Sequence, residues 1–312
     1  MPELRMIIPP EMEGRPLRHA ALCGLHMSNG QFKRAKFQGE VLLNGVPALA
    51  NARLLAGSEL VIRVPEPVNT QPEPSPLPLC VPYEDDAFLM VDKPAPLPSS
   101  SSVRQEGLTL ENAVYAYLGC PEAFVYRPVN RLDKGTSGLM LVAKTAHAQH
   151  LLQRLLHSAD FVREYLAVVE GTPPEAEGLI DLPIGKAEGA TVRREIRPDG
   201  REARTLYRVL RTENGRSLIR LRLDTGRTHQ IRVHMRALGC PVAGDFLYGT
   251  ELEALPHRFA LHSAYCRVKH PITGEWVARE SPLPPELERL LTGGQARRGF
   301  VAAVPWQCGL WN

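Results

Sequence analysis

Six prolines fall within residues 65–80 (Pro-Glu-Pro-Val-Asn-Thr-Gln-Pro-Glu-Pro-Ser-Pro-Leu-Pro-Leu-Cys), and this stretch constrains the fold more than any other. Proline fixes φ and brings no amide donor, so the segment can join neither a helix interior nor a central strand. It reads as an extended, semi-rigid spacer. The 312-residue chain therefore divides into a small N-terminal part and a large C-terminal part.

The N-terminal part reads as a module over 12–64. Residues 1–14 read as an irregular or extended lead. From Arg15 the apolar positions Leu17, Ala20, Ala21 and Leu25 keep helical spacing. Ser28-Asn29-Gly30-Gln31 is a capping box for a second short helix through Lys36, ended by Gly39. Val41-Leu42-Leu43 reads as a strand, Asn44-Gly45 as a hairpin turn, and Glu59–Val64 as a further strand. Two short helices and a hairpin-rich sheet in about 50 residues make a small module of modest stability.

The C-terminal part reads as one domain over 81–290, followed by a non-periodic tail over 291–312. Ala87–Val91 is a strand and Leu108–Leu118 a helix. Thr145 caps a helix to about His157, and Arg163–Val169 is a strand. Ser217–Leu223 alternates as a half-buried strand does, and Thr228 caps a helix that ends at Gly239. Strands and helices alternate without a βαβ period. The expected class is α+β, with a mixed, mostly antiparallel central sheet flanked by helices.

An apolar fraction of 44% suits a globular protein, and no run of about 18 apolar residues exists to span a membrane. The N-terminus lacks the pattern of a secretion signal, and the six cysteines are scattered without a Cys-x-x-Cys pair. These features read as a reduced, cytoplasmic protein. The formal net charge is only +3, yet Arg193 to Arg236 holds thirteen arginines, no lysine and five acids. That segment has eight excess positive charges, which leaves the remainder at −5. Such a stretch suggests a surface for a polyanion, and arginine suits bidentate phosphate contacts.

Arg131-Leu132-Asp133-Lys134-Gly135-Thr136-Ser137-Gly138 runs into the apolar Leu139–Ala143. It sets one carboxylate between two cations on a loop that feeds a strand. A carboxylate so placed is expected to stay ionised, ready to attack or stabilise an electrophile. The plain alternative is a solvated loop of alternating charges. Tyr165 could equally be core packing, and Arg232 one more surface cation. His229 and His234 stand five apart, which does not match a helical zinc pair, and His147 and His150 read as solvated. No metal or cofactor is expected.

Five ordered segments resemble the RluA-type RNA pseudouridine synthases over about residues 81–285. They are Asp92-Lys93-Pro94; Arg127-Pro128-Val129-Asn130-Arg131-Leu132-Asp133 through Leu139; Arg163-Glu164-Tyr165 through Gly171; Thr225-Gly226-Arg227-Thr228-His229-Gln230-Ile231-Arg232-Val233-His234 through Gly249; and Leu261-His262-Ser263-Ala264 with His270-Pro271-x-Thr273-Gly274. The resemblance implies that uridine is isomerised within RNA, without metal or added water. It implies Asp133 as essential carboxylate, either nucleophile or base, with Arg232 paired to it. Tyr165 would stack on the uracil and take part in removing the carbon 5 proton, and Leu261 would line the pocket. Arg131, Lys134, Arg227 and His229 would contact substrate or brace its loop. The target uridine would be flipped out of its stack. The family's commonest form has His where this chain has Asn130, for which a loop-ordering role is expected.

The N-terminal part resembles the S-four-type RNA-binding domain through Ser28, Lys33, Arg34, Lys36, Gly39, Val41, Leu43, Asn44-Gly45 and Gly57-Ser58-Glu59-Leu60. The resemblance places Lys33, Arg34 and Lys36 on phosphates. It also points to ribosomal RNA ahead of transfer RNA. The expected protein is a monomer with RNA as its partner. Two other readings stand beside it: a catalytically inactive RNA-binding protein that keeps the synthase fold, and a hydrolytic glycosidase, which would call for a second carboxylate or a held water.

Overall fold

The computed structural model describes residues 3–65, 71–101 and 107–293. Residues 66–70 of the proline-rich segment, and the expected tail from residue 294 onward, lie outside the described residues.

The N-terminal sheet contains β1 (Glu3–Ile7), β2 (Glu40–Leu43), β3 (Val46–Pro47) and β4 (Glu59–Arg63), in the antiparallel order β1-β4-β2-β3. Helix α1 (Leu17–His19) continues as a wider turn over Ala20–Gly24, and α2 spans Asn29–Gln38. The capping box at α2 forms: the Gln31 amide donates to Ser28 Oγ, and the Ser28 amide to Gln31 Oε1. Asn44 (φ 51°) and Gly45 (φ 77°) make the tight turn between β2 and β3. The sheet has its own core, including Leu17, Leu54, Leu60 and Ile62. Part of the expected lead is β1, which pairs along all of β4. Its charged, weakly alternating sequence hid a strand that β4 supplies with partners.

The second half of the proline-rich segment is extended but strapped down. Asn112 Nδ2 donates to Glu73 O (2.7 Å), and the Ser75 amide donates to Asn112 O (3.2 Å). Asn112 belongs to α3 (Leu110–Tyr117).

The large sheet has nine strands: β5 (Cys80–Glu84), β6 (Phe88–Lys93), β7 (Ser137–Ala143), β8 (Phe161–Glu170), β9 (Glu177–Asp181), β12 (Arg204–Glu213), β13 (Arg216–Leu223), β14 (Leu261–Lys269) and β15 (Trp276–Glu280). The short strands β10 (Ile184–Lys186) and β11 (Arg194–Ile196) form a separate hairpin. The order is β5-β6-β7-β14-β8-β13-β12-β9, with β15 beside β14. Only β7 and β14 run parallel. Helices α3, α4 (Ala146–Leu155), α5 (Gln230–Ala237) and α6 (Pro285–Thr292) complete the α+β fold.

Both faces of the sheet are covered. Along β6 and β7, Leu89, Val91, Met140 and Val142 join a core with α3, α5 and α6, while Phe88, Met90, Leu139 and Leu141 join a core with α4. Two buried faces explain why β7 reads as an unbroken apolar run.

The parallel contact of β7 with β14 depends on Gly138. Its φ is +106°, and a Cβ there would lie 2.2 Å from Ser263 O. Only glycine allows this approach. The loop before β7 is thereby held against β14.

Candidate active site

Asp133 lies in the loop that enters β7, and backbone-directed bonds hold this loop. Ser99 Oγ donates to Leu132 O (2.6 Å) and accepts from the Leu132 amide (3.1 Å). The Leu97 amide donates to Lys134 O (3.0 Å). Lys93, fully buried, donates through Nζ to Leu97 O (2.7 Å) and Pro94 O (3.0 Å). Burial pushes its pKa down to about 7, while the charge of Asp133 acts in the other direction. Asn130 Oδ1 accepts the Leu141 amide (3.0 Å), tying the loop to β7.

The cations flanking Asp133 in sequence are not its partners. Arg131 and Lys134 are exposed, and neither makes an ion pair with it among the described residues. The partner comes from α5, 99 residues away: Arg232 Nη1 donates to Asp133 Oδ2 (3.0 Å). Adjacent residues on a loop diverge, whereas a helix end packed over the loop can reach back to it.

Arg232 is itself held from the core. Its Nε and Nη2 donate to the two oxygens of Asp245 (2.7 and 2.8 Å), and its guanidinium lies 4.0 Å from the Phe259 ring centroid. Burial acts most strongly on Arg232 and opposes its charge, but the bonds to Asp245 and the charges of Asp133 and Asp245 outweigh it and leave the pKa raised. Asp245 is fully buried, whereas the Asp133 side chain is 30% exposed and so open to a ligand.

Helix α5 starts differently from expectation. Its first flanking residue is His229, in the left-handed region (φ 59°), and Thr228 does not cap it. No side chain caps it; Gln230, its first residue, braces the turn before it, with Oε1 accepting from the Arg227 amide (2.9 Å) and Thr225 Oγ1 (2.8 Å). The turn brings His229 Nε2 to 3.8 Å from Asp133 Oδ2 and Nδ1 to 2.8 Å from the Tyr248 hydroxyl. That hydroxyl accepts the Arg194 amide (2.8 Å), and in the tautomer whose Nδ1 accepts the hydroxyl proton the ring hydrogen lies on Nε2, facing Asp133. Burial lowers the His229 pKa, which favours the neutral ring.

Asp133 opens onto a cleft of about 480 Å³. Tyr165 on β8 and Leu261 on β14, both buried, line it. Burial raises the Tyr165 pKa, so its phenol keeps its proton. Arg131, Lys134, Arg227, His229 and Arg232 line the same cleft. The structure thus brings together Asp133 and these seven candidates. It leaves apart Lys33, Arg34 and Lys36, which lie on α2 and do not line the cleft. Asp133 is the sole carboxylate among the described lining residues.

In the sequence, Asp245 in the Gly244-Asp245-x-x-Tyr248-Gly249 end of the fourth segment reads as a structural residue, without its hold on Arg232; that turn was the available signal for Tyr248, and nothing singled out Ser99. His147 and His150, read as solvated, are half-buried on α4, and His147 Nδ1 has no hydrogen-bond partner among the described residues. Among the described residues no three His, Cys, Asp or Glu side chains gather to hold a metal, and no helix is long and apolar enough to cross a membrane.

Comparison with known proteins identifies the family. The sequence profile of the RNA pseudouridylate synthase family matches residues 87–237. The ribosomal large subunit pseudouridine synthase D of Xanthomonas campestris is 38% identical over 272 residues, covering 81% of each chain. The protein of that name from Vibrio cholerae is 36% identical over 276 residues, covering 83% of this chain and 85% of its own. The solved structure of human RNA pseudouridylate synthase domain containing 1 superposes with a TM-score of 0.55 at 28% identity, over 70% of this chain and 95% of its own. By these similarities the chain belongs to the RluA-type RNA pseudouridine synthase family.

Proposed function

We propose that this synthase isomerises a flipped uridine in large-subunit ribosomal RNA, with Asp133 as the essential carboxylate acting on the ribose as nucleophile or base. The observation that carries this reading is the buried Arg232 guanidinium, shared between Asp245 and a partly open Asp133. Arg232 holds Asp133 in place and aims it into the cleft. Tyr165 stacks on the uracil, a contact worth about 1–3 kcal/mol. Its buried, protonated phenol suits stacking better than removal of the carbon 5 proton. Leu261 excludes water beside it. His229 directs its Nε2 hydrogen toward Asp133 or the bound nucleotide, while Arg131, Lys134 and Arg227 take phosphates or brace the substrate loop.

A single carboxylate among the described lining residues favours isomerisation over hydrolysis, which ordinarily uses two. The relatives' names favour ribosomal over transfer RNA. In this reading residues 12–64 form the S-four-type RNA-binding domain, whose Lys33, Arg34 and Lys36 touch phosphates, residues 81–290 form the catalytic domain, and the protein acts in the cytoplasm as a monomer. The test is incubation with a large-subunit ribosomal RNA transcript carrying tritium at uracil carbon 5. Tritium release with intact chain length is expected. Free uracil would show hydrolysis instead, and binding without product would show a passive RNA-binding protein.

A further inference from the structure

A second hollow, about 320 Å³, adjoins the Asp133 cleft. The β10–β11 hairpin, the turn 199–201 and residues 226–228 form it, and residues 226–228 also line the cleft, so the two share a rim. Gly200 shapes its wall: a Cβ there would lie 2.6 Å from the Ile184 carbonyl carbon.

Four cations line this hollow: Lys186, Arg194, Arg201 and Arg227. Its one acid, Asp199, is held by two bonds from Arg197 (2.7 and 2.9 Å). None of the four cations has a carboxylate partner among the described residues. Lys186 stands directly opposite Arg194 in the antiparallel register. Like charges so placed repel unless an anion lies between them. Arg227 Nε is tied to Glu202 O (2.9 Å), which steadies the stem and leaves its terminal nitrogens to a ligand.

Elsewhere in the basic stretch most of the charge is neutralised; Arg193, Arg222 and Arg236 make no ion pair among the described residues and do not line the hollow. Arg197, Arg204, Arg208, Arg211, Arg216, Arg220 and Arg232 all meet acids of the protein itself. Of the six arginines of the stretch left without an acid, Arg194, Arg201 and Arg227 gather with Lys186 in this one hollow beside the cleft. We infer that this hollow holds the phosphodiester backbone of the RNA strand adjoining the uridine in the Asp133 cleft, with Lys186, Arg194, Arg201 and Arg227 on phosphate oxygens. The inference rests on reading that cleft as the uridine site.

The test compares two charge-matched double variants in the tritium-release assay on the large-subunit ribosomal RNA transcript. Lys186→Gln/Arg201→Gln removes two exposed cations of the hollow. Arg208→Gln/Arg289→Gln removes two cations that do not line it. The first should raise KM about tenfold at moderate salt, with kcat at saturation within about twofold of wild type. Its slope of log KM against log salt should shrink by about 1.4, or about 0.7 for each phosphate lost on a single strand. The second should leave KM and slope near wild type. Unchanged KM and slope in the first variant, or equal weakening in both, would overturn the inference while uridine isomerisation stood. Absence of tritium release by the wild-type protein would overturn both.

Discussion

Asp245 grips Arg232 through two hydrogen bonds of 2.7 and 2.8 Å, leaving the Nη1 of that guanidinium to Asp133 at 3.0 Å. A buried acid that no substrate touches thus sets the position of the cation that orients the exposed one. Asp245 also accepts the amides of Leu247 and Tyr248, so it orders the turn that carries Tyr248.

Asp245→Asn keeps the shape and removes the charge. Breaking a buried ion pair costs about 3–5 kcal/mol. A misplacement of about 1 Å at a reacting group costs on the order of a hundredfold in rate. Urea unfolding should show the first loss, and tritium release should show kcat falling far more than KM rises.

Tyr248→Phe removes the hydroxyl between the Arg194 amide and His229 Nδ1. Both groups then lack a partner, a cost of about 1–3 kcal/mol. Urea unfolding should show that loss, with only a modest fall in kcat, because Asp133 and Arg232 keep their contact.

Gly138→Ala should be among the most damaging single changes. The backbone φ of +106° disfavours any side chain, and the new methyl would meet Ser263 O at 2.2 Å and Ser263 N at 2.6 Å. A loss above about 4 kcal/mol is expected, seen as a collapse in soluble yield or melting temperature. Wild-type stability in this variant would contradict the β7–β14 register.

Acid should weaken the fold through its buried histidines. Burial lowers the pKa of His229, His234 and His262 in the folded state, while the unfolded chain has the ordinary value of about 6.5. The unfolded chain therefore binds more protons below that value. Stability from these groups is complete above about pH 6.5 and is lost as pH falls through the lower folded values. Urea midpoints should be level between about pH 7 and 8 and should fall toward about pH 5. A midpoint that rose on acidification would contradict this.

The sequence disclosed what local chemistry controls. Ser28 with Gln31 marks the start of α2, Asn44-Gly45 the β2–β3 turn, and the ordered segments around Asp133 and Arg232 the site. What stayed hidden depends on distant partners. Arg211 meets Glu288 and Arg220 meets Glu164, pairs separated by 77 and 56 residues. A charge tally counts those arginines as free surface, and only the fold shows them neutralised. The pairing of Arg232 with Asp133, 99 residues away, was legible only through the family resemblance, because local charge alone points to Arg131 and Lys134. Thr228 does not cap α5 as its position suggests; the turn before the helix is held by the side chain of Gln230 reaching back to the Arg227 amide, a use that helix-start patterns do not encode.

The most direct measurement is tritium release from the carbon 5-labelled ribosomal RNA transcript by wild type and Asp133→Asn, with affinity for that RNA measured alongside. The variant should release no tritium above background while binding within about tenfold of wild type, because phosphate contacts supply most of the affinity. Turnover by Asp133→Asn at the wild-type rate would show that the reaction does not pass through this carboxylate.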